Sequence, residues 1–394
     1  MIIVLTGALL LLSTMYFLSA AFLAVQGGAA LFPRRRERPV LPDRCPRLAV
    51  VIPAHNESLV IRKTIDSIRS HFPSGGRLLV VADNCTDGTA ETALAAGAEV
   101  TVRRDADRKG KGYALDHGVR LLEADPPDVV IFIDADCEVE PATVEVLAKS
   151  CFATQRPVQA RYIMQPSTQI DLFDRISQFA WRVRTFVRPF GAANLGWPCQ
   201  LMGTGMALPW RAVVGVDLAS RHLAEDQKLG ADLALAGKLP LFCPDVHVTS
   251  RSPVAQEAKR TQRMRWEHGH LALIPDYFPR LIASALRNRN FLLLAFALDL
   301  CIPPMSLLLI SLVLVQSLNL CWLLLADAIL PFLVSSLALL LLVASLALAW
   351  WQFGRDVISL RDMLFAPAYC IARLPSLLLY FVHRQVDWIR TDRV

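Results

Sequence analysis

Apolar residues fall into two long blocks, one at the start of the chain and one in its last third, with a region of mixed pattern between them. The first block, residues 1–32, contains no charged side chain. A helix needs ~20 apolar residues to cross a bilayer, so residues 1–32 are predicted to form a transmembrane helix. The alternative, a cleaved signal peptide, carries its positive charge before the apolar segment. Here Arg34, Arg35, Arg36 and Arg38 follow the segment, which favours a retained helix.

The second block, residues 291–352, has Asp299 and Asp327 as its only charged residues. A polar stretch from Gln316 to Asn319 divides this block, which predicts a hairpin of two transmembrane helices. Pro303-Pro304 predicts a kink in the first of them. A carboxylate is costly in hydrocarbon, so Asp299 and Asp327 are expected either to have a function or to lie against other helices or near an interface.

Two further segments are predicted to contact the membrane. Residues 363–381 are apolar but contain Arg373 and Pro375, which favours an interfacial or re-entrant segment, with a further transmembrane helix as the alternative. Asp171 to Pro189 has the pattern of a basic amphipathic helix. Such a helix either lies on the membrane or packs on the protein interior.

Between the apolar blocks, residues 45–275 alternate short β-rich runs with helical patterns. The expected strands are 48–52, 78–82, 100–102 and 129–133, and the expected helices between them are 59–71, 89–96 and 112–123. This alternation predicts an α/β domain with a parallel sheet. Ligands of such sheets bind at the carboxyl ends of the strands, where polar residues 53–57, 83–89 and 134–136 fall.

Asp134 and Asp136 follow a buried strand at a spacing of two residues. Two carboxylates at a strand end repel each other unless a cation lies between them, and hard oxygen ligands favour Mg²⁺ or Mn²⁺. The alternative is an ordinary surface turn. Asp83, at the end of the second strand, is suited to accept hydrogen bonds from a base or ribose.

Three later segments add charged groups suited to transfer chemistry. Lys111, in a glycine-containing turn before a helix, can attract an anion. Glu225-Asp226 supplies a carboxylate for general-base work, and Arg263 and Arg265 can bind diphosphate oxygens. Trp266 offers an apolar face to a sugar ring, and Gln262 beside it can form a hydrogen bond.

In this order and spacing the motifs resemble those of family 2 glycosyltransferases, in particular the membrane-bound processive branch of cellulose, hyaluronan and poly-N-acetylglucosamine synthases. Ceramide and hopanoid-type glycosyltransferases share part of the pattern. The residues that carry the resemblance are Asp83, Asp134-Ala135-Asp136, Glu225-Asp226 and Gln262-Arg263-Met264-Arg265-Trp266. The resemblance implies an inverting GT-A (Rossmann-like) domain with flanking transmembrane helices, a UDP-sugar donor and a divalent metal.

The same resemblance implies roles for individual residues. Asp226, with Glu225 beside it, is expected to be the general base, and Asp134 and Asp136 are expected to hold Mg²⁺ or Mn²⁺. Contacts to the nucleotide-sugar are expected from Ala54, Glu57, Asp83, Lys111, Arg263 and Arg265. Contacts to the acceptor are expected from Gln262, Trp266, Gly203 and Thr204.

Composition supports a membrane protein, because 54% of residues are hydrophobic and 19% are charged. The net charge of +6 arises beside apolar segments, which favours anionic lipid over nucleic acid as the partner. We therefore expect a multi-pass protein of the bacterial inner membrane with a cytoplasmic domain, which transfers sugar to a saccharide or lipid acceptor in polysaccharide or glycolipid synthesis. The alternatives are a polyprenyl-phosphate glycosyltransferase and a non-catalytic scaffold with a degenerate transferase domain.

Overall fold

A computed structural model describes residues 1–32, 40–166 and 171–382. Within these residues the chain forms two compact units. A helical unit comprises residues 1–32, 171–196 and 297–382, and an α/β unit comprises residues 40–166 and 197–296. The arginines at positions 34, 35, 36 and 38, on which the expected orientation of the first helix depends, lie outside the described residues.

The α/β unit is built on a mixed sheet of eight strands within the described residues. The strands are β1 Leu48–Ala54, β2 Arg77–Asp83, β3 Glu99–Arg103, β4 Val129–Phe132, β5 Glu138–Val139, β6 Val158–Gln165, β7 Met206–Pro209 and β8 Leu241–Arg251. Their order is β3-β2-β1-β4-β7-β6-β8-β5. The first four strands are mutually parallel, as predicted, and β7 joins β4 in the antiparallel sense.

Helices cover both faces of this sheet, which explains why its first strands are apolar throughout. In β1, Leu48, Val50 and Ile52 enter one core, while Ala49 and Val51 enter the core on the opposite face. The helices of this unit are α2 Ile61–Arg69, α3 Thr89–Ala95, α4 Lys111–Leu122, α5 Thr143–Thr154, α8 Trp210–Val213, α9 Glu225–Leu235 and α10 Gln256–Arg287. Helix α10 continues to Arg287, so the predicted domain end at residue 275 falls inside a helix.

The helical unit contains three helices that are long and apolar enough to cross a membrane, within the residues described. These are α1 Ile2–Leu31, α12 Met305–Ala326 and α13 Ile329–Phe353; the shorter helices are α6 Leu172–Arg182, α7 Arg188–Asn194, α14 Leu360–Met363 and α15 Ala366–Val382. A π-helical turn, Val183–Val187, joins α6 to α7. The predicted segment 363–381 is thus largely helical, and its relation to the bilayer stays a prediction.

Two details of the second apolar block differ from the sequence-based expectation. The break between its long helices lies at Asp327-Ala328, so the predicted break at Gln316 to Asn319 is wrong. Pro303-Pro304 separates α12 from a short helix, α11 Phe291–Leu300, and does not kink a longer one. Proline lacks the N–H that a helix interior needs, so two in succession end the helix.

Three arginines of the helical unit pair with aspartates of the same unit. Asp299 is buried and accepts hydrogen bonds from Arg188 at 2.9 Å and from Gln26 at 2.7 Å, so it lies against other helices. On α6, Arg175 pairs with Asp362 at 3.1 Å. The apolar face of the predicted amphipathic helix packs into the core of the unit, through residues Ile176, Phe179, Val183 and Val187.

Candidate active site

The polar segments predicted to share one edge of the sheet follow three adjacent strands. Ala54 is the last residue of β1 and Asp83 the last of β2, while Asp134 follows β4 closely. In the sheet β1 lies between β2 and β4, with all three parallel. Their carboxyl ends therefore point the same way, and the candidate site occupies this edge.

A buried lysine joins the predicted metal and base segments. Lys111, the first residue of α4, has its Nζ atom 2.6 Å from Asp134 Oδ1 and 4.0 Å from Glu225 Oε1. The same ammonium donates a hydrogen bond of 2.8 Å to the carbonyl oxygen of Gly203. A Cβ atom placed on Gly203 would lie 3.4 Å from both Lys111 Nζ and Asp226 Oδ2. The structure thus brings these five predicted site residues into one cluster.

Burial and charge oppose each other at both kinds of group in this cluster, and the pKa of each group lies above its ordinary value. Burial lowers the pKa of Lys111, but the carboxylates of Asp134 and Glu225 outweigh burial and hold the pKa above its ordinary value. Burial raises the pKa of Glu225 to about 7, against the opposing effect of Lys111. Glu225 therefore holds a proton near neutral pH more readily than an exposed carboxyl does.

The loop before β7 is fixed to the strand end that carries Asp134. Thr204 is fully buried, and its Oγ1 accepts a hydrogen bond of 3.1 Å from the backbone N–H of Asp134. Gly205, the next residue, has φ of +64°, and a Cβ there would lie 2.7 Å from Val248 Cγ2. Only glycine meets both conditions without strain. The Gly203-Thr204-Gly205 segment is therefore held beside Asp134, as its predicted acceptor role requires.

The segment that contains Gln262, Arg263, Arg265 and Trp266 lies in the first half of α10, and α10 packs on the start of α9. A Cβ on Gly269 would lie 2.9 Å from the backbone nitrogen of Ala224, directly before Glu225. Farther along, His270 Nδ1 and Gln227 Oε1 form a hydrogen bond of 2.8 Å.

Of the predicted α10 residues, Arg265 has an electrostatic effect on Glu225, which is adjacent to the candidate base Asp226. Its positive charge lowers the pKa of Glu225, after the larger effects of burial, Lys111 and Asp226. The roles of Gln262, Arg263 and Trp266 toward a substrate stay predictions.

The predicted nucleotide end of the site centres on Asp83, which is 5% exposed. Asp83 Oδ1 accepts hydrogen bonds from Arg103 at 2.6 Å and from Asn84 at 3.0 Å. Burial raises the pKa of Asp83, and the Arg103 guanidinium opposes that shift. Asp83 and the Lys111 cluster lie at the same edge of the sheet, since Asp83 ends β2 and Asp134 follows β4.

Arg103 is a site residue that sequence reasoning missed. It ends β3, and the rule that drew attention to the ends of β1, β2 and β4 applies equally to β3. Its guanidinium lies over the ring of Tyr113 at 5.5 Å, and Tyr113 is two residues from Lys111 on α4. The other two residues predicted to contact the nucleotide, Ala54 and Glu57, are hydrogen-bonded to the segment that follows β2. The N–H of Glu57 donates to Thr89 Oγ1 at 2.8 Å, and Cys85 Sγ donates to the Ala54 carbonyl at 3.4 Å.

The described residues contain no group of three or more His, Cys, Asp or Glu side chains arranged to hold a metal ion. Asp134 and Asp136 are oxygen donors beside a strand end, and Asp134 is partly exposed. Magnesium in phosphoryl and nucleotide sites is commonly held by one or two carboxylates together with substrate phosphates and water. Two carboxylates therefore fit a cation that arrives with a diphosphate, and they do not fit one held by protein alone.

Comparison with known families identifies the domain. A model described as glycosyl transferase family 2 matches residues 49–190. A second, described as glycosyl transferase family group 2, matches residues 129–382, which is more than half of the chain. The chain belongs to the family 2 glycosyltransferases. It has the GT-A fold, as the sequence motifs predicted, and the second model also matches the parts of the helical unit at residues 171–196 and 297–382.

Solved structures and curated relatives agree with this family. A mannosyltransferase from Pyrobaculum calidifontis, crystallised with GDP-Man and Mn²⁺, superposes with a TM-score of 0.55 at 16% identity, over 94% of this chain and 100% of that chain. At that identity the likeness shows the fold alone. Glucosyl-3-phosphoglycerate synthase of Mycobacterium tuberculosis is 42% identical over 96 residues, which are 23% of this chain and 28% of the relative. An uncharacterized glycosyltransferase of Mycobacterium bovis is 29% identical over 196 residues, which are 42% of this chain and 82% of the relative.

The chain therefore spans about 28% of the length of the synthase it matches. A match over this part of the synthase does not show that this chain uses the same donor or acceptor.

Proposed function

We propose that this glycosyltransferase moves a sugar from a UDP-sugar to a hydroxyl of a saccharide or lipid acceptor, with inversion and with a divalent cation, at the cytoplasmic face of a bacterial inner membrane. The observation that carries the proposal is the cluster of Asp134, Lys111, Glu225 and Asp226 at the carboxyl edge of the sheet. The Lys111 ammonium contacts both Asp134, the predicted cation ligand, and Glu225, which is adjacent to the candidate base Asp226. The three long apolar helices support the membrane setting.

In this mechanism Asp226 is the general base. Its carboxylate takes the proton of the acceptor hydroxyl, whose oxygen attacks the anomeric carbon from the side opposite the diphosphate. The bond from the anomeric carbon to the diphosphate oxygen breaks, its electron pair leaves with UDP, and the anomeric configuration inverts. The position of Asp226 beside Gly203, in the predicted acceptor segment, favours it over Glu225.

The other residues bind and orient the substrates. Asp134 and Asp136 would hold Mg²⁺ or Mn²⁺, which when bound supplies positive charge against the departing diphosphate. Arg263 and Arg265, both on α10, would offset the same charge.

Two glycosyltransferases similar to this chain are consistent with that donor chemistry. The mannosyltransferase from Pyrobaculum calidifontis was crystallised with GDP-Man and Mn²⁺, and structures of the mycobacterial synthase contain UDP with Mn²⁺ or Mg²⁺. The choice of UDP for this chain rests on the motif pattern and on the buried Asp83.

The proposal is tested with purified full-length protein in detergent. We expect isothermal titration to show UDP binding that depends on Mn²⁺, and mass spectrometry to detect a glycosylated product from one member of a UDP-sugar panel. D226N should lose turnover by ~10³-fold while UDP binding is retained, since only proton removal is impaired. D66N, on the exposed face of α2, is the matched control and should behave as wild type.

Several results would count against this assignment. Absence of UDP binding would favour the scaffold alternative. Wild-type turnover in D226N would exclude Asp226 as the base, and if polyprenyl phosphate were then the acceptor used, the polyprenyl-phosphate alternative would be correct. Such an acceptor is already anionic and needs no base.

A further inference from the structure

Lys111 lies among oxygen atoms that come from three separate parts of the α/β unit. Its ammonium contacts Asp134 after β4, the Gly203 carbonyl before β7, and Glu225 at the start of α9. The side chain is 17% exposed. A largely buried ammonium is stable only where oxygen atoms replace its water, and these contacts do so.

The backbone around Lys111 is as constrained as its side chain. Gly110 has φ of +127°, which allows the sharp entry into α4. Gly112, on the other side, packs so closely that a Cβ there would lie 2.5 Å from the Leu218 carbonyl oxygen and 2.9 Å from that of Ser220. Arg221 in the same segment donates a 2.7 Å hydrogen bond to the Asp107 carbonyl. The start of α4 is therefore fixed against the segment that leads to Glu225.

We propose that Lys111 is a positioning residue, which holds the predicted metal carboxylate Asp134, the predicted acceptor segment at Gly203 and the Glu225-Asp226 pair in one arrangement. This role rests on the function proposed above. It differs from the diphosphate binding expected of Lys111 from the sequence, because the ammonium is already directed at protein oxygens. The lysine acts through its neighbours and need not touch either substrate.

The charge of the cluster gives this role a distinctive consequence. The ammonium offsets the negative charge of Asp134, Glu225 and Asp226. Without it, the carboxylates attract a divalent cation more strongly, while their alignment is lost. Removal of Lys111 is thus expected to strengthen metal binding and to slow turnover, whereas general damage to the fold would weaken both.

The test compares K111M with K111R and with K109M. Lys109 is exposed in the same basic turn, so K109M removes an equal charge nearby without the buried contacts. Mn²⁺ affinity is measured by electron paramagnetic resonance without nucleotide, and kcat and KM are measured with the UDP-sugar that the wild type uses. K111M is expected to bind Mn²⁺ ~10-fold more tightly, since a nearby positive charge is lost. Its kcat should fall ~100-fold because the reacting groups are misplaced, with donor KM changed less than ~3-fold.

The controls make each outcome informative. K109M should match wild type in both measurements, and K111R, which keeps the charge, should show wild-type Mn²⁺ affinity with part of the turnover. A K111M protein that keeps wild-type turnover, that loses both Mn²⁺ binding and turnover, or that mainly loses donor affinity would overturn the positioning role. If the wild type neither bound Mn²⁺ nor used any UDP-sugar, the proposed function itself would be wrong, and this role with it.

Discussion

Replacing Gly112 by alanine would test whether close packing at the start of α4 sets the geometry of the active site. A Cβ at this position would lie 2.5 Å from the carbonyl oxygen of Leu218. Because carbon–oxygen contacts below about 3.0 Å are essentially not observed, the two backbones must separate by at least ~0.5 Å. The segment from Leu218 leads directly to Glu225, so this displacement would reach the catalytic pair.

The expected size of the effect follows from the geometry. Overpacking of this kind typically costs about 1–3 kcal/mol of stability. A misplacement approaching 1 Å among reacting groups can slow an enzyme ~100-fold, so we expect kcat of G112A to fall about 10- to 100-fold. Turnover is measured with the UDP-sugar identified for the wild type, and stability by denaturant unfolding in detergent.

Gly118 provides the matched control on the same helix. A Cβ there would lie 2.8 Å from Val51 Cγ1 and 3.0 Å from Val81 Cγ2, which are core side chains of β1 and β2. G118A should therefore lose similar stability but keep turnover within ~2-fold of wild type, since side chains can adjust where a backbone cannot. If G112A and G118A lost turnover equally, or if G112A lost none, packing of α4 against the Leu218 segment would not position the site.

Two further predictions concern buried charge. Burial raises the pKa of Glu225 from 4.5 to about 7, so between these values the folded protein holds a proton that the unfolded chain has lost, and the free energy of unfolding should fall as pH rises. E225Q should remove this part of the pH dependence in metal-free denaturant unfolding, and an unchanged profile would contradict the assignment. In the helical unit, D299N removes the charged partner of Arg188, whose side chain is 13% exposed, and should cost about 3–5 kcal/mol in thermal unfolding. D356N breaks the pair with Arg182, in which Asp356 is 68% exposed, and should cost less than about 1 kcal/mol; equal losses would argue against a role for burial.

The first half of the sheet was predictable because its signals are local. Strands β1, β2 and β4 are continuous apolar runs buried on both faces, and the polar residues after them mark the ligand edge. Strands β5 to β8 were not predicted. β5 has two residues, and β8 contains Pro244 and Asp245, so neither presents a clear apolar run.

In the candidate site, too, some features depend on residues adjacent in the sequence and others on residues far apart in it. Asp134 and Asp136 are noticeable in the sequence because they follow a buried strand, and Glu225-Asp226 because the order of the motifs resembles that of family 2 glycosyltransferases. The contacts of Lys111 are not, because Gly203 lies 92 residues farther along the chain. A lysine beside glycines suggests an anion site, and only the fold shows that carboxylates of the protein surround the ammonium.

The break predicted at Gln316 to Asn319 was wrong because hydropathy alone does not distinguish a polar loop from polar residues inside a helix that contact neighbouring helices. Asn319 is fully buried within α12, where it donates to Ser13 Oγ at 2.8 Å and to Ser335 Oγ at 2.9 Å. A polar side chain is costly in an apolar environment chiefly while it lacks a partner, and here α1 and α13 supply partners. The helix ends instead at Asp327, whose φ of 49° is left-handed, a common way for a helix to stop. The pairing of Asn319 depends on Ser13, 306 residues away, and so is not visible in the local sequence. Asp327, a residue type that tolerates the left-handed conformation, is the local feature that marks the end of the helix.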